Sequence, residues 1–430
     1  IQSVPSASPM TALQGKVAGV NVVSSGAPGS APTVRIRGAG SFKNSSPLYV
    51  VDGMFYDDIT FLNNDDIQDF TILKDASAAA IYGVRAANGV VLITTKKGAK
   101  NQKAQITYDG YVGFQKASNV LELCNAKEYA TMMLEGNYDA YVSHFKKSID
   151  NYGGSYSDPD FHNWTYNTDN DWYDQMLRTA LITNHSLSIA GGSDKTTYSL
   201  GGSYLYQDGI MDVDNNYKRL NFRAAVDYNA TNWLKVGFNG VFSQSEQQVP
   251  NNAAWQKAFN CPPIVALYDK NNDKAFPNKY GSPDVLGYSS NFYNPIAFAE
   301  YYDSKNESYQ ALTNFYAQID FIPNKLNLRS NYSYSFLSTQ GREFTPAYYV
   351  SSWQQSTTTK LRKSENKYYN RIWDNTLTYN DQFGKHKVGA MVGMSMREEQ
   401  WRNLNGSASN VPDGEDEYWY IKNGDATGAT

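Results

Sequence analysis

The stretch YKRLNFRAAVDY, residues 217–228, alternates between two kinds of side chain. The apolar and aromatic set is Leu220, Phe222, Ala224, Val226 and Tyr228. The polar set between them is Arg219, Asn221, Arg223 and Asp227. A period of two places successive side chains on opposite faces of a β-strand. The stretch therefore predicts a strand with one face suited to hydrocarbon or a protein core and the other suited to water.

The same alternation recurs along most of the chain after residue 105. Further candidate strands lie at residues 105–114, 181–191, 196–207, 232–244, 311–322, 326–336, 370–379 and 386–396. Together these are nine strands of about 9 to 12 residues, the length that crosses a bilayer when a strand is tilted. No stretch approaches about 18 consecutive apolar residues, so the sequence predicts no membrane-spanning helix.

The connections between these strands alternate in length. Short links (GSDK, NATN, PNK and DQFGK) are followed by long ones at about 117–180, 208–216, 247–308, 337–367 and 398–430. Bacterial outer-membrane barrels have short turns on one side and long loops on the other. The alternative is a secreted β-sandwich or propeller, although no repeat of about 40 to 50 residues, as in a propeller blade, is visible.

Composition supports a β-rich chain and narrows the partners. There are 34 Tyr, 19 Phe and 8 Trp among the 430 residues, and aromatic side chains favour strands. The formal charge of −4 and the lack of a long basic block make a nucleic-acid partner unexpected. The two cysteines, Cys124 and Cys261, have no metal-ligand spacing, and we expect no metal and no cofactor. No phosphate loop, nucleophile elbow or zinc-helix motif is present, so we do not expect an enzyme.

The first 98 residues follow a different pattern and predict a small α/β unit. DASAAAIYGVRAANGVVLITTKKG, residues 75–98, begins as an Ala-rich helical run and ends as an apolar strand, with Gly83 and Gly89 between them. Glycine permits positive φ and close backbone approach there. Thr11 is a candidate helix cap, and Asp52 and Gly53 form a candidate turn after the strand PLYVV.

This N-terminal region resembles the plug domain of the SusC/RagA family of TonB-dependent outer-membrane transporters. The resemblance runs from Ala12 to Gly98, and rests on ALQGKVAGVNVVSSGAPGSAPTVRIRGAGSF, PLYVVDG and the stretch at 75–98. It implies a mainly β fold, a transmembrane antiparallel barrel of 22 strands with the α/β plug inside its lumen. Residues 1–100 would be an N-terminally truncated plug and residues 101–430 the first part of the barrel, with roughly 13 more strands to follow.

The resemblance also implies a function and partners. The protein would import a large nutrient, a glycan fragment above all, across the bacterial outer membrane with a SusD-like surface lipoprotein. TonB, with ExbB and ExbD, would act through a segment N-terminal to this chain, and the barrel would contact outer-membrane lipid with its long loops extracellular. Peptide cargo is the alternative within the family. A passive or adhesive barrel and a secreted glycan-degrading enzyme are alternatives outside it.

Two sets of residues are candidates for the working site. A plug must be held by polar contacts to the barrel, and guanidinium groups bind carboxylates through two hydrogen bonds. The candidate plug–barrel contacts are Arg35 and Arg37 with Asp109, Asp227, Asp320 and Asp374. The alternative is that these arginines are solvated on the plug surface.

Glycine-flanked plug loops and aromatic barrel loops are candidates for cargo contact. The plug candidates are Phe42, Lys43, Asn44, Phe55, Tyr56 and Asp57, whose loops could equally be ordinary turns. The barrel loops at 163–174, 288–302, 348–356 and 416–420 are rich in aromatic residues. Such rings suit a sugar face or the interface with a partner protein.

Overall fold

The computed structural model describes residues 7–24, 26–36, 46–74, 82, 86–158, 160–289, 291–414 and 416–429. Most of the Ala-rich run that is predicted to be helical, and Gly83 with it, lies outside these residues. The strands are β1 (Asn21–Val23), β2 (Thr33–Arg35), β3 (Leu48–Val51), β4 (Met54–Tyr56), β5 (Ile67–Leu73), β6 (Val90–Thr95), β7 (Gln105–Gln115), β8 (Gly154–Ser155), β9 (Thr165–Tyr166), β10 (Ala180–Gly192), β11 (Thr196–Asp208), β12 (Asn216–Asn229), β13 (Leu234–Gln248), β14 (Asp303–Ile322), β15 (Leu326–Thr345), β16 (Tyr348–Tyr349), β17 (Gln355–Ser356), β18 (Lys360–Phe383), β19 (His386–Ser409) and β20 (Asp425–Ala429).

The α-helices are α1 (Ala126–Tyr152), α2 (Trp172–Met176), α3 (Ala254–Asn260) and α4 (Pro295–Glu300). Short 3-10 helices lie at Thr11–Leu13, Asn64–Asp66, Phe161–Asn163, Pro283–Leu286, Asp416–Tyr418 and Ile421–Asn423. Thr11 thus begins a single 3-10 turn and does not cap a longer helix. No helix in the described part of the chain is both long enough and apolar enough to cross a membrane.

Strands β1 to β6 form the N-terminal unit. Strands β3 to β6 make a mixed sheet in the order β4-β3-β6-β5, in which β3 and β6 are parallel, and β1 pairs with β2 in a separate ribbon. The predicted turn is present: Asp52 and Gly53 have φ of 48° and 91° and join β3 to β4. Two central residues with positive φ are typical of a type I′ hairpin turn. The Asp52 carboxylate also accepts hydrogen bonds from Thr95 N and Oγ1, at 3.1 and 2.8 Å.

Gly89, just before β6, shows why the quoted N-terminal stretch needs glycine. Its φ is 96°, and a Cβ placed there would lie 3.1 Å from the Ile36 side chain. Ile36 is buried in the core of the N-terminal unit. A larger residue would therefore be strained and would also crowd that core.

The other large element is one antiparallel sheet of ten strands within the described residues. Its order is β20-β19-β18-β15-β14-β13-β12-β11-β10-β7. All nine strands predicted from the alternation are present, and β20 is an addition. Neighbouring strands are joined alternately by short turns and long connections, so the sheet has a short-turn end and a long-loop end.

The polar face of this sheet is buried and its apolar face is exposed, which is the reverse of a soluble protein. On β12, Arg219 and Arg223 are only 2% and 3% exposed, whereas Phe222 between them is 54% exposed. The polar residues lie on the inner face, which packs against the N-terminal unit, and the apolar residues lie on the outer face. A soluble sandwich would bury the apolar face, so this arrangement is that of a strand with hydrocarbon on its outer side.

Several strands are longer than predicted because they continue beyond the stretch in which the outer face of the sheet is apolar. Strands β18 and β19 each have 24 residues. On the outer face, charged pairs replace apolar residues towards the long-loop end: Lys218 with Glu246, Lys305 with Glu307 and Arg371 with Glu398, at 3.6, 3.0 and 2.9 Å. The sheet therefore extends beyond the part that suits a bilayer.

The long connections fold into a second hydrophobic core at the long-loop end. Helices α1 to α4 contribute to it, together with residues of the connections that flank them. Its large buried side chains include Phe145, Trp164 and Trp172, each at most 1% exposed. Trp172 donates through Nε1 to the Pro262 carbonyl at 3.1 Å, which joins two connections that are 90 residues apart.

Both cysteines are free in the structure. Cys124 is exposed, and Cys261 is buried in the core of the long connections. Burial raises the pKa of the Cys261 thiol well above its usual value.

Candidate functional site

Inner-face side chains of β12 donate hydrogen bonds to the N-terminal unit. Arg219 donates through Nη1 to the Ala7 carbonyl at 2.9 Å and also to the Thr60 carbonyl. Asn221 donates through Nδ2 to the Phe61 carbonyl at 2.9 Å. Buried carbonyls need such partners, so β12 supplies donors that the N-terminal unit would otherwise lack.

Arg223 completes this row and makes a buried ion pair. Its Nε donates to Asp66 Oδ1 at 2.9 Å, and its Nη1 donates to the Lys96 carbonyl. Its Nη2 donates to Ser199 Oγ of β11 at 3.0 Å. The charge on the guanidinium is thus shared among three acceptors, which offsets part of the cost of removing two charges from water.

Asp65, beside Asp66, contacts β10 of the same ten-stranded sheet, which we call the wall. Asn184 Nδ2 donates to Asp65 Oδ2 at 3.1 Å. Burial raises the pKa of the Asp65 carboxyl, and the negative charge of Asp109 on β7 raises it further, against the opposing effect of Lys96. The wall therefore binds a carboxyl group whose charged form is disfavoured.

Nearer the long-loop end than Asp65, the backbone of Gly29 makes a close contact with the wall. Its N–H donates to Gln207 Oε1 at 3.3 Å, and Gln247 Nε2 donates to the carbonyl of the preceding Pro28 at 2.7 Å. A Cβ on Gly29 would lie 2.2 Å from the Tyr217 ring, and its φ is 67°. Only glycine meets both requirements.

A cavity of about 310 Å³ lies between the N-terminal unit and the wall, towards the long-loop end. We call it the long-loop cavity. The N-terminal unit lines it with Phe55, Tyr56, Asp57, Asp58, Thr60 and Phe61. The wall lines it with Tyr217, Ser243, Ser245, Ser308, Gln310, Ser335, Leu337, Thr339 and Tyr368. Most of these wall residues carry a hydroxyl group, which both donates and accepts hydrogen bonds.

A second cavity, of about 390 Å³, lies towards the short-turn end, and we call it the short-turn cavity. The N-terminal unit lines it with Val50, Asp52, Gly53, Tyr82, Leu92, Ile93, Thr94 and Lys97. The wall lines it with Ala225, Asp227, Phe238, Asn239, Asn314, Tyr316, Arg329, Asn331, Ser333 and Asp374. The Tyr316 hydroxyl donates to Asp227 at 2.6 Å, and the Arg329 guanidinium lies 3.9 Å from the centre of the Tyr316 ring.

The predicted plug–barrel residues are placed differently from one another. Asp227 and Asp374 line the short-turn cavity and so face the N-terminal unit. Asp109 is exposed on β7. Asp320 pairs with Lys235 of the neighbouring strand at 3.1 Å. Arg35 is exposed on β2 and makes no ion pair within the described residues, and Arg37 lies outside them.

Among the described residues, the observed donors and acceptors are the reverse of those predicted. The arginines that hold the two units together, Arg219 and Arg223, belong to the wall, and the carboxylate belongs to the N-terminal unit. Arg219 and Arg223 were assigned from the sequence to the polar face of their strand, but not to this contact. The sequence feature that could have indicated this contact is the spacing of Arg219, Asn221 and Arg223. Side chains with N–H donors at every second residue of a strand can donate to the backbone of a neighbouring unit at several points.

Half of the predicted cargo residues can be placed. Phe55, Tyr56 and Asp57 line the long-loop cavity, and the Arg397 guanidinium lies 5.0 Å from the centre of the Phe55 ring. Phe42, Lys43 and Asn44 lie outside the described residues.

The aromatic loops divide into buried and exposed rings. Trp164, Trp172 and Trp419 are buried, whereas Trp353 is 57% exposed. Trp419 stacks on Phe344 with the ring centres 3.8 Å apart. The buried rings stabilise the long connections and are not free to form a sugar platform.

Comparison with known proteins identifies the family. Residues 1–90 match the family described as TonB-dependent Receptor Plug Domain. TonB-dependent receptor SusC of Bacteroides thetaiotaomicron is 34% identical over 283 residues, which cover 62% of this chain and 26% of SusC. The chain belongs to the SusC/RagA family of TonB-dependent receptors. The N-terminal unit is accordingly called the plug below, and the ten-stranded sheet the barrel wall.

Other TonB-dependent receptors match nearly the whole chain. TonB-dependent receptor P3 of Formosa agariphila is 32% identical over 408 residues, which cover 93% of this chain and 37% of the relative. The structure of the RagAB peptide importer in the "open-open" state gives a TM-score of 0.80 at 25% identity and covers 99% of this chain and 49% of that one. In the "closed-closed" state the TM-score is 0.77 at 26% identity.

These matches confirm the predicted fold class of SusC/RagA receptors, an antiparallel transmembrane β-barrel with an α/β plug. They also show what share of its relatives' length the chain spans. The chain spans between a quarter and two fifths of the length of the curated relatives, 26% of SusC and 40% of TonB-dependent receptor P26 of Formosa agariphila.

Proposed function

We propose that the protein to which this chain belongs imports a large nutrient, an oligosaccharide, across the bacterial outer membrane in a TonB-dependent manner. Residues 1–100 act as the plug and residues 101–430 as the first part of the barrel. A SusD-like surface lipoprotein delivers the cargo at the long-loop end, which is extracellular. TonB, with ExbB and ExbD, supplies the energy, and the chain performs no covalent chemistry on the cargo.

The observation that carries this proposal is the inverted burial of the barrel wall. Arg219, Asn221 and Arg223 are buried against the plug, while Leu220 and Phe222 of the same strand face outwards. A polar inner face filled by a separate folded unit is the arrangement of a plugged transporter. An adhesive barrel has no need of a unit held in this way.

The long-loop cavity supports an oligosaccharide as cargo. Its wall residues Ser243, Ser245 and Ser308 present hydroxyl groups, and Asp57 and Asp58 of the plug present acceptors. Sugar hydroxyls both donate and accept, so they match such a lining. The Phe55 ring adds an apolar surface for the C–H face of a sugar ring.

Peptide import is the second candidate, because RagAB, a peptide importer, shares the fold over 98% of this chain at 26% identity. In that case the charged residues of the short-turn cavity, among them Arg329 and Asp374, would contact peptide groups in transit. The charged residues would then determine specificity more than the hydroxyl-bearing ones.

The test is uptake by the intact transporter in a host that lacks its own copy. Growth is measured on defined oligosaccharides as the carbon source and on defined peptides as the nitrogen source, with and without TonB. We expect growth on an oligosaccharide that is lost without TonB. Growth on peptides alone would establish the second candidate, and growth that is independent of TonB would contradict both.

Binding to the purified complex with its lipoprotein refines the cargo site. Phe55→Ala is expected to weaken oligosaccharide binding measured by calorimetry, because it removes the apolar surface in the long-loop cavity. Arg35→Ala, on an exposed part of the plug, is the matched control and should bind as the unaltered protein does. Equal affinities for all three proteins would exclude Phe55 from the cargo site.

A further inference from the structure

The barrel wall between the two cavities breaks the polar pattern of its inner face. On β13 the inner-face residues run Asn239, Val241, Ser243, and on β14 they run Gln310, Leu312, Asn314. In each strand the two polar residues line different cavities, and the apolar residue lies between them. On β13 and β14, one apolar residue therefore separates the cavities.

Strand β18 also has an apolar residue between the two cavities, but a buried polar residue lies beside it. Its inner face runs Tyr368, Asn370, Ile372, Asp374, in which Tyr368 lines the long-loop cavity and Asp374 the short-turn cavity. Val241 and Leu312 are direct cross-strand partners, and Leu312 is paired with Ser335 of β15. Ile372 is paired with Ser333 of the same strand. By this pairing Ile372 lies one inner-face position nearer the short-turn end than Val241 and Leu312, with Ser333, Ser335 and Asn370 beside them. We call Val241, Leu312 and Ile372 the apolar seal.

The apolar seal is packed against the plug. Val241, Leu312 and Ile372 are 5%, 1% and 6% exposed, and they belong to the same buried cluster as the plug core. Their plug partners in that cluster include Met54 and Ile93 from the strands that face the wall. The contact is dry, whereas the cavities on either side are lined by polar groups.

Among the described residues, most hydrogen bonds between the plug and the wall lie on other strands. Asn184 on β10 and Arg219, Asn221 and Arg223 on β12 hold the plug by hydrogen bonds. Breaking those contacts would leave buried polar groups without partners, at a cost of about 1–3 kcal/mol each. On β13 the hydrogen bond from Gln247 to the Pro28 carbonyl lies towards the long-loop end, away from Val241. Separating the apolar contact at Val241, Leu312 and Ile372 leaves no polar group of these side chains unpaired, so the wall there separates from the plug at lower cost.

We infer that cargo moves along the wall of β13, β14, β15 and β18, from the long-loop cavity to the short-turn cavity. The apolar seal closes this route at rest. The plug stays attached to β10 and β12 while its contact with the apolar seal opens. The inference rests on the proposed import function, and it assigns the route and its closing residues to this part of the barrel.

The chemistry of the apolar seal suits a closed gate. An apolar constriction excludes water and ions when it is narrow, so these residues, packed against the plug, oppose a leak along this part of the wall. Ser333 and Ser335 beside it provide hydroxyl groups at the same level, both nearly fully buried. Cargo that displaces the plug there would meet these hydroxyls, which can donate and accept hydrogen bonds.

Ion conductance tests the apolar seal without any cargo. The intact transporter is placed in planar lipid bilayers without TonB, and Leu312→Ser and Val241→Thr are compared with the unaltered protein. Leu337→Ser is the matched control, because Leu337 lines the long-loop cavity away from the apolar seal. We expect a steady leak for the two seal variants and none for the control. Equal conductance in all four proteins would overturn the assignment of the seal.

Blocking the short-turn cavity tests the route. Asn239→Trp fills the cavity below the apolar seal, and Asn239→Gln is its control. We expect the tryptophan variant to bind cargo normally but to import it no faster than a strain without TonB. Normal import by Asn239→Trp would overturn the route. Failure of the unaltered protein to import any tested cargo would instead count against the proposed function, while conductance would still decide the seal.

Discussion

Arg223 of the barrel wall and Asp66 of the plug form a buried ion pair, with Nε and Oδ1 2.9 Å apart and side chains that are 1% and 8% exposed. Arg223 also donates to the Lys96 carbonyl and to Ser199. The pair lies on the side of the barrel where hydrogen bonds hold the plug.

Replacement of one partner should loosen the plug. We expect Asp66→Ala to destabilise the docked plug by about 3–5 kcal/mol, because it leaves the Arg223 charge buried without its partner. Hydrogen exchange of plug amides in the intact transporter would measure this as faster exchange. Asp66→Leu combined with Arg223→Met should exchange more slowly than Asp66→Ala alone. Arg35→Ala should change the stability by less than about 0.5 kcal/mol, because that arginine is exposed.

Gly29→Ala should displace the plug from β12. The added Cβ would lie 2.2 Å from the Tyr217 ring, and φ of 67° is unfavourable for alanine. Gly26→Ala is the matched control, because Gly26 has φ of 78° but open space around its Cβ position. A protease-sensitivity assay of the plug should show a large effect at position 29 and a smaller one at position 26. Equal effects would mean that backbone strain, and not the contact with Tyr217, determines the result.

The attachment of the plug at Asp65 should depend on pH. Burial and the charge of Asp109 raise the pKa of Asp65 in the folded protein above its unfolded value. Protonation is therefore favoured by folding, so this contribution to stability is present at low pH and is lost as the pH rises through the folded pKa. Asp65→Asn should abolish that dependence and still accept a hydrogen bond from Asn184. Plug hydrogen exchange between pH 4 and pH 7 in both proteins, corrected for intrinsic rates, would show it. An unchanged dependence in the variant would assign it to other groups.

Buried and exposed tryptophans of the long connections should behave differently. Trp172→Ala removes a fully buried ring and should destabilise the second core by about 3–5 kcal/mol. Limited proteolysis at the long-loop end should detect this. Trp353→Ala should leave the fold intact, since Trp353 is 57% exposed. A loss of cargo or lipoprotein binding in Trp353→Ala, without added proteolysis, would assign this residue to the binding surface.

The barrel strands were predictable because alternation is a local property. The stretch around Arg219 and Phe222 shows its two faces within 12 residues, and the structure confirms both the strand and the alternation. The turn at Asp52 and Gly53 was predictable for the same reason, since a type I′ turn needs two adjacent residues that tolerate positive φ.

The contacts between plug and wall were not predictable in the same way. Alternation shows that Arg223 points to the polar face, but Asp66 is 157 residues earlier in the chain. The sequence suggested Arg35 as the donor because it sits in the plug, whereas the plug backbone supplies acceptors that wall arginines can reach. The second core was missed because the pairing of Trp172 with Pro262 depends on how two long connections meet.

The outer-face ion pairs lie where the wall continues towards the long-loop end, at which the proposed transporter would capture its cargo. Strand β18 continues from Arg371 back to Lys360, a length of about 35 Å along the strand at about 3.3 Å per residue. With a strand tilt of about 40°, this segment rises roughly 25 Å along the barrel axis, and in the proposed transporter it does so on the extracellular side. In the proposed transporter, a bulky polymer in solution is therefore gripped by one end while the rest of it stays clear of the lipid.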